Sequence, residues 1–399
     1  KLKSVVLSDC VSITSIVRYY YYMSQVSVIG IVGGGQLARM MAEAAVKLNL
    51  GVIVLDPGDN CPAAQVGAKQ IIASMDDPEG LRQLAEASDV ITIDVEHVDA
   101  SQLAKIAEHG TPVRPLPSTI TTIQDKYLQK QFLINNGIAV ADSVPISDKA
   151  SAQEALAKFS GKMLIKTRFG AYDGRGNMVI GDGKTVDDAF NAFGDQPLYA
   201  EKFIPFIKEL AVMIARDLEG NTAIYPVVET IQNRNICEYV LAPAQISSAE
   251  NEAALELANQ VADHLDGPGI YGIEMFLTDS GEVMVNEIAP RVHNSGHYTI
   301  EACNTSQFEQ HIRAISGLPL GSTDMKVPAA VMLNVLGKRD GPTDEQGIDK
   351  LSEYPHTYVH LYGKSPTKLD RKMGHITITA DSVDEAYDQA KTIEQIITI

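Results

Sequence analysis

Short apolar runs and amphipathic stretches alternate along the first third of the chain. Residues 26–34 form an apolar run that ends in glycines, and residues 36–48 repeat apolar positions at helical spacing. Two further apolar runs lie at 51–56 and 90–96, with a helical pattern at 79–87 between them. Strands that alternate with helices in this way are typical of a doubly wound parallel sheet.

The rest of the chain is richer in strands. The pattern predicts mostly helix over 101–136 and helices at 185–193 and 249–265. We expect strands at 162–166, 176–180, 198–204, 209–215, 222–230 and 238–242. A final unit has predicted strands near 328–334, 357–362 and 374–379 and a closing helix at 383–394. The α/β unit is therefore followed by α+β structure.

Two apolar runs late in the chain each contain one carboxylate. Residues 270–277 and 282–288 flank Thr-Asp-Ser-Gly, which predicts a β-hairpin with Glu274 and Glu287 on one face. Two like charges so close repel each other unless a cation lies between them, and Mg²⁺ prefers oxygen ligands. Asn286 would add a neutral oxygen. The alternative is a pair that is simply solvated on an open face.

The segment after this hairpin concentrates hydrogen-bond donors. Arg291, His293, Asn294, Ser295 and His297 lie within seven residues. The planar guanidinium of arginine suits phosphate or carboxylate. A carboxylate pair for metal, followed by a loop for an anion, indicates an enzyme that transfers a metal-bound phosphate.

Composition narrows the class of partner. The net charge of −18 argues against nucleic acid and anionic membranes, which both require a cationic surface. A hydrophobic content of 45% is ordinary for a globular protein, and no apolar run approaches the about 18 residues of a membrane helix. The cysteines lie far apart, which indicates reduced thiols in the cytosol; they are Cys10, Cys61, Cys237 and Cys303.

The first 22 residues begin like a signal peptide. Ser8, Asp9 and Ser12 interrupt their apolar part, and no small-residue cleavage site follows. We expect Met23 to be the natural start and residues 1–22 to be an upstream extension.

A glycine-rich turn follows the first apolar run. Residues 33–38 read Gly-Gly-Gly-Gln-Leu-Ala, and Asp56 closes the next predicted strand, as in a dinucleotide-binding fold. Alone, this pattern is compatible with NAD or NADP binding. The alternative is a turn that directs backbone amides at another phosphate.

A second glycine-rich loop follows the strand that ends in Lys166. A mobile glycine loop after a strand lysine holds triphosphates in several nucleotide enzymes, although the spacing is not that of a Walker A motif. A solvated hairpin tip is the alternative. The loop contains Gly170, Tyr172, Asp173, Gly174, Arg175 and Gly176, and Glu201, Lys202, Lys208 and Glu209 follow it.

This order of features resembles ATP-grasp enzymes. Four stretches narrow the resemblance: Tyr-Asp-Gly-Arg-Gly (172–176), Asn-Glu-Ile-Ala-Pro-Arg (286–291), His-Asn-Ser-Gly-His-Tyr-Thr-Ile-Glu-Ala-Cys (293–303) and Arg-Lys-Met-Gly-His (371–375). With the glycine turn, residues 26 to 395 closely resemble the N5-carboxyaminoimidazole ribonucleotide synthetases of purine biosynthesis. Small departures from the family pattern are Ala38, Asp94 and Val292.

The resemblance implies an ATP-grasp fold in three parts: a doubly wound parallel-sheet domain at 23–125, an ATP-grasp domain at 126–315 with a lid at about 145–202, and a small β-rich domain at 316–399. It also implies a reaction in which ATP, bicarbonate and aminoimidazole ribonucleotide give the N5-carbamate through carboxyphosphate. Mg²⁺ would be required. The enzyme would be a cytoplasmic homodimer without nucleic-acid or membrane partners.

The resemblance also implies roles for individual residues. Glu274 and Glu287 would hold Mg²⁺, and Glu96, Tyr172 and Arg175 would surround bicarbonate. The ribonucleotide would be bound by Gly35, Gln36, Arg291, Asn294, Ser295, Lys364 and Arg371, of which Lys364 and Arg371 take its 5′-phosphate. ATP would be bound by Lys126, Lys166, Ala171, Tyr172, Asp173, Gly174, Arg175, Gly176, Asn177, Glu201, Lys202, Phe203, Ile204, Glu209, Gln232, Asn286 and Glu287.

Two other classes of function stay open on the sequence. One is an NAD-dependent oxidoreductase. The other is a related ATP-grasp ligase, such as a formate-dependent glycinamide ribonucleotide transformylase.

The glycine loop predicts a role for Arg175 in protecting the intermediate. Carboxyphosphate hydrolyses in open water, so the loop must close over it. We expect Arg175→Ala to retain ATP binding and to form less carboxylated product per ADP. Both products are measured in one reaction. A ratio that stays at one product per ADP would contradict this role.

Overall fold

The computed structural model describes residues 26–170 and 176–399. The expectations for residues 1–22 and for the loop residues lie outside the described part; the loop residues are Ala171, Tyr172, Asp173, Gly174 and Arg175.

The first unit is a parallel four-stranded sheet in the order β3-β2-β1-β4. Its strands are β1 (Val28–Val32), β2 (Gly51–Leu55), β3 (Lys69–Ile71) and β4 (Val90–Ile93). Its helices are α1 (Gln36–Lys47), α2 (Pro78–Glu86), α3 (Ala100–Glu108) and α4 (Pro117–Gln124). Ile31 packs in the core that contains α1, whereas the next residue, Val32, packs in the core that contains α2 and α3. Both faces of the sheet are therefore covered, which confirms the doubly wound prediction.

The second unit is an antiparallel sheet in the order β5-β8-β6-β7. Its strands are β5 (Ser143–Ile146), β6 (Met163–Thr167), β7 (Asn177–Ile180) and β8 (Leu198–Lys202). The helices of this part are α5 (Lys126–Asn135), α6 (Lys149–Lys158) and α7 (Val186–Phe193). The sequence pattern did not predict β5 or α6. The first is short and contains Pro145, and the second buries only alanines, although Asp148 and Ser151 form a capping box at its start.

The third unit is a nine-stranded sheet with antiparallel pairing, in the order β14-β13-β9-β11-β12-β15-β17-β16, with β10 beside β9. Its strands are β9 (Lys208–Arg216), β10 (Thr222–Ile224), β11 (Val228–Asn233), β12 (Ile236–Ala242), β13 (Gly269–Leu277), β14 (Val283–Ala289), β15 (Ala329–Leu336), β16 (Thr357–Leu361) and β17 (Lys372–Ala380). Its helices are α8 (Ser248–His264), α9 (Thr299–Ala302), α10 (Gln307–Ser316) and α11 (Val383–Ile396). The predicted strand 222–230 was wrong, because it is two strands interrupted at Pro226, which has no amide hydrogen for a ladder.

The C-terminal strands continue this large sheet, since β15 pairs with β12. They also contact the segment after β14 through imidazole rings, with a tilted pair across the contact and a stacked pair behind it. The ring centroids of His297 and His375 are 4.8 Å apart, and those of His375 and His360 are 4.5 Å apart with the planes 10° from parallel. The C-terminal unit is thereby fixed against the donor-rich segment that follows the hairpin.

Helix α10 joins the first sheet to the third. Its buried His311 lies 2.8 Å through Nε2 from Thr92 Oγ1 of β4, and its Nδ1 accepts from the Ile270 N–H of β13 at 3.0 Å. Of the described cysteines, Cys61 and Cys303 are buried and neither is in a disulfide. Within the described ranges, no helix has the length and apolar character needed to cross a bilayer.

Candidate active site

The predicted hairpin places its two carboxylates directly opposite each other. Glu274 of β13 and Glu287 of β14 are register partners, and a bulge follows Glu274. Burial and then the neighbouring Glu287 raise the pKa of Glu274 to about 7. The pairing therefore concentrates negative charge at a position where a nearby positive charge would be stabilising.

Lys126 supplies one such charge. This first residue of α5 contacts both carboxylate oxygens of Glu287 through Nζ, at 2.9 and 2.8 Å. Asp125 caps the same helix by accepting from the backbone N–H groups of Tyr127 and Leu128, and it also pairs with Arg168 after β6. The start of α5 thus connects the hairpin to the strand that carries Lys166.

Helix α5 is also held to the backbone of β14. Gln129 accepts from the Ile288 N–H at 2.9 Å and donates to the Ile288 carbonyl at 3.0 Å. Lys130 donates to the Asn286 carbonyl at 2.7 Å. These contacts lie on both sides of Glu287 and fix its position along the strand.

A buried carboxylate lies between two lysines. Glu201 of β8 is 2% exposed, and its Oε2 is 3.3 Å from Lys130 Nζ and 3.1 Å from Lys166 Nζ. Although burial raises the pKa of Glu201, the two lysines lower it below its ordinary value. Burial also lowers the pKa of Lys130 to about 8. The sequence pattern did not identify Lys130, although it lies one helical turn after Lys126.

Glu96 and Arg291 form the contact between the first unit and the loop after β14. Their Oε2 and Nε atoms are 2.5 Å apart. Burial raises the pKa of Glu96, but Arg291 outweighs this effect and lowers it to about 2. Glu96 is therefore held ionised beside the hairpin.

Residues 291–297, which we call the donor loop, bring His293 close to the carboxylate pair of Glu274 and Glu287. Its Nε2 is 3.4 Å from Glu274 Oε1, and its Nδ1 accepts from the Ser295 N–H at 3.3 Å. Burial and then Arg291 lower the pKa of His293 to about 3, so its imidazole is neutral. Among the described atoms, Asn294 Nδ2 is buried without a hydrogen-bond partner. An unsatisfied buried donor of this kind indicates a place for a ligand acceptor.

The glycine turn is filled by carboxylates of the protein. Asp94 accepts from Gly35 N–H at 2.6 Å and from Ala38 N–H at 3.0 Å. Asp56 accepts from Gly34 N–H at 2.9 Å. The backbone amides that would hold a dinucleotide pyrophosphate are therefore occupied. Asp56 hydrogen-bonds to the turn and is not free to bind a ribose. Gly35 and Gln36 were both predicted to bind the ribonucleotide. Asp94 accepts from the backbone N–H of Gly35 but not from that of Gln36.

Of the two predicted C-terminal cations, Lys364 lies near this turn. Gln65 donates to the Gly363 carbonyl at 3.0 Å, and the next residue, Lys364, is close enough to Asp94 to favour its ionised form. Lys364 also donates to the Lys372 carbonyl at 2.9 Å. Arg371 donates to the Pro366 carbonyl at 2.8 Å.

The remaining predicted nucleotide residues lie along the adjoining strands. Asn177 is the register partner of Lys166, and Gly176 accepts from Thr167 N–H at 2.9 Å. Glu209 hydrogen-bonds to Gln232 of the neighbouring strand, and burial raises the pKa of Glu209. Lys202 ends β8, and Phe203 and Ile204 follow it.

Three family models match successive parts of the chain. A ribonucleotide synthetase preATP-grasp domain matches residues 26–124, an ATP-grasp domain matches 131–308, and a phosphoribosylaminoimidazole carboxylase C-terminal domain matches 330–389. The three matched segments follow one another along the chain without overlap.

Similar proteins extend this match over most of the chain. A phosphoribosylaminoimidazole carboxylase from Ogataea methanolica is 46% identical over 92% of this chain and 69% of its own length. The chain spans about two thirds of the length of several curated fungal relatives.

Two solved structures share the fold. An N5-carboxyaminoimidazole ribonucleotide synthetase from Thermotoga maritima is 44% identical, with a TM-score of 0.85, over 93% of this chain and 99% of its own. An Aspergillus clavatus synthase in complex with ADP and 5-aminoimidazole ribonucleotide is 38% identical, with a TM-score of 0.86, over 93% and 98%. The chain belongs to the N5-carboxyaminoimidazole ribonucleotide synthetase family, ATP-grasp ligases that use ATP to carboxylate aminoimidazole ribonucleotide in purine biosynthesis.

Proposed function

We propose that this site uses Mg²⁺, ATP and bicarbonate to form carboxyphosphate, which then carboxylates the amine of aminoimidazole ribonucleotide. The observation that carries the proposal is the direct pairing of Glu274 with Glu287, beside Lys126 and within reach of the Lys166–Glu201 pair. Phosphoryl transfer depends mainly on positioning and on neutralising charge, and this site concentrates groups for both.

The two hairpin carboxylates fit a hard divalent cation. Their oxygens are the ligands that Mg²⁺ prefers. Burial and then the facing carboxylate of Glu287 raise the pKa of Glu274, and a bound cation would favour its ionised form. Asn286 offers a further oxygen on the same strand. These residues would hold the cation, whose positive charge would offset the negative charge that develops on the transferred phosphoryl group.

The lysines would bind the nucleotide phosphates. Lys166 can turn from Glu201 toward ATP because Lys130 stays beside that carboxylate and keeps it neutralised. The adenine cleft would be lined by the residues at the end of β8, namely Lys202, Phe203 and Ile204. Gly176 and Asn177, at the start of β7, would cover the nucleotide. Glu209 with Gln232 would hold the ribose.

Bicarbonate and the ribonucleotide would lie on the side of the donor loop. Glu96 is fixed in its ionised form by Arg291, next to the position proposed for bicarbonate. Roles for Tyr172 and Arg175 in this step stay predictions from the sequence. The amide of Asn294, which is buried without a partner, would donate to the ribonucleotide.

The ribonucleotide phosphate would lie between the glycine turn and the C-terminal unit. Gln36 and Lys364 approach it from the two sides, with Arg371 and Ser295 completing the site. Asp94 already occupies the Gly35 amide, so we assign Gly35 to the shape of the turn.

Location and assembly stay predictions of the resemblance. A cytoplasmic homodimer is expected, although one plant relative is named as chloroplastic.

The reaction is tested by measuring ADP and carboxylated product together. We expect both to require aminoimidazole ribonucleotide and bicarbonate, and formate to give no product. Arg371→Ala should raise the KM for the ribonucleotide roughly 10-fold or more, because a charge-assisted phosphate contact is lost, and should leave the KM for ATP nearly unchanged. Arg339→Ala is the control, since Arg339 is exposed in the same unit and pairs with Asp344.

Two results would contradict the proposal. Equal product with formate would assign a different ligase reaction. An equal rise in both KM values for Arg371→Ala would mean that this residue stabilises the fold rather than the substrate.

The pKa of Glu274 predicts a pH-dependent metal requirement. A carboxyl with a pKa of about 7 must lose its proton before it binds a cation, so protons compete with Mg²⁺ below that pH. We expect the Mg²⁺ concentration for half-maximal ADP release to rise as pH falls from about 8 to about 6. A requirement that is constant over this range would remove Glu274 as a metal ligand.

A further inference from the structure

The side chain of Gln307 supplies hydrogen bonds to the backbone of the donor loop, which pairs with none of the described strands at this point. The loop leaves the sheet after β14, so its buried backbone groups require other partners. Gln307, the first residue of α10, is fully buried. Its Oε1 accepts from the His293 N–H at 2.9 Å, and its Nε2 donates to the His293 carbonyl at 2.7 Å. One side-chain amide therefore satisfies both backbone groups of a single residue, an arrangement that we call an amide clasp.

The orientation of this amide is determined by its partners. The second Nε2 hydrogen points to His297 Nδ1 at 3.2 Å. A flipped amide would place its NH₂ group against the His293 N–H and its oxygen against the His293 carbonyl, which are two repulsive contacts. The clasp consequently has one stable orientation.

The surroundings leave little freedom for the clasp to shift. A Cβ on Gly296 would lie 2.4 Å from Gln307 Oε1, so the loop passes directly against the amide. The Gln307 N–H donates to Thr299 Oγ1 at 2.9 Å, and Thr299 Oγ1 in turn donates to the Gly296 carbonyl at 2.6 Å. The start of α10 is therefore linked to the donor loop at His293, Gly296 and His297.

The clasp determines where the His293 imidazole lies. With the His293 backbone fixed, the ring packs over Gly272, where a Cβ would be 2.6 Å from His293 Cβ. Its Nδ1 accepts from the Ser295 N–H, so the proton of the neutral ring is on Nε2, which faces Glu274 at 3.4 Å. The protonated nitrogen therefore lies 3.4 Å from one carboxylate oxygen of the pair.

We propose that Gln307 is a positioning residue of the active site: through the His293 backbone, it holds the imidazole N–H against Glu274 and orients that carboxylate for the metal and nucleotide. Groups that orient a metal ligand in this way typically change metal affinity or activity by about 10–100-fold when they are removed. The inference rests on the proposed role of Glu274 as a metal ligand.

The same helix provides a matched control. Gln310, also fully buried, accepts from the Gly321 N–H at 2.8 Å and donates to the Gly321 carbonyl at 2.8 Å. This second clasp holds a segment that contributes nothing to the proposed site. Replacing either glutamine with methionine keeps the approximate volume and removes the same two backbone contacts.

The experiment compares Gln307→Met with Gln310→Met in the full chain. We expect similar decreases in unfolding temperature for the two variants. Gln307→Met should lower kcat by about 10–100-fold and raise the Mg²⁺ concentration for half-maximal activity, whereas Gln310→Met should stay within about twofold of the native chain in both. Equal kcat and equal Mg²⁺ requirements for the two variants would overturn the proposal.

A second variant keeps the test decisive if Gln307→Met does not fold. Gly296→Ala retains the Gln307 amide group but displaces it through the added Cβ, and the expected loss of kcat is of the same kind. A native Mg²⁺ requirement in Gly296→Ala would overturn the proposal. Failure of the proposed function is separable, because it would appear in the native chain as ADP release without carboxylated product.

Discussion

Two carboxylates that face each other across a hairpin are the constraint around which the site is organised. Glu274 and Glu287 are register partners, so neither can move away without disrupting the sheet. The protein compensates with Lys126 and with the imidazole N–H of His293, and the pKa of Glu274 nevertheless remains raised, to about 7. Charge is thus kept where folding alone disfavours it, as expected for a site that acquires a cation with its substrate.

Contacts between units converge on the same hairpin. Glu96 of the first unit reaches Arg291, and Glu201 of the antiparallel sheet reaches Lys130 on the helix that carries Lys126. The Glu201–Lys130 pair is buried and the Glu96–Arg291 pair is partly buried, so removing one member would leave a poorly solvated, uncompensated charge. The site is consequently assembled by all three units, and the ion pairs that hold the units together also place the groups proposed for the chemistry.

The sequence predicted the elements with strong periodicity and the motifs of charged residues. The parallel sheet followed from the alternation of strands and helices, and the hairpin followed from two apolar runs around a turn signal. The sequence placed Glu274 and Glu287 on one face, but their direct pairing depends on the bulge after Glu274, which alternation does not predict. The sequence did not predict α6, whose buried positions are alanines, or the clasp of Gln307. A buried glutamine has no periodic signal, because its function is defined by a backbone partner that is 14 residues away in the chain. Lys130 was missed for the same reason: its partner Glu201 lies on a distant strand.

Unfolding temperature with and without Mg²⁺ and ADP tests the central claim most directly. At a pH of about 8, above the pKa of Glu274, we predict that Glu274→Gln unfolds at a higher temperature than the native chain without metal, because one of two opposed charges is removed. Glu282→Gln, an exposed change on the same hairpin, should have little effect. Mg²⁺ with ADP should stabilise the native chain and Glu282→Gln, but not Glu274→Gln. A Glu274→Gln variant that is less stable without metal and is still stabilised by Mg²⁺ with ADP would contradict the account.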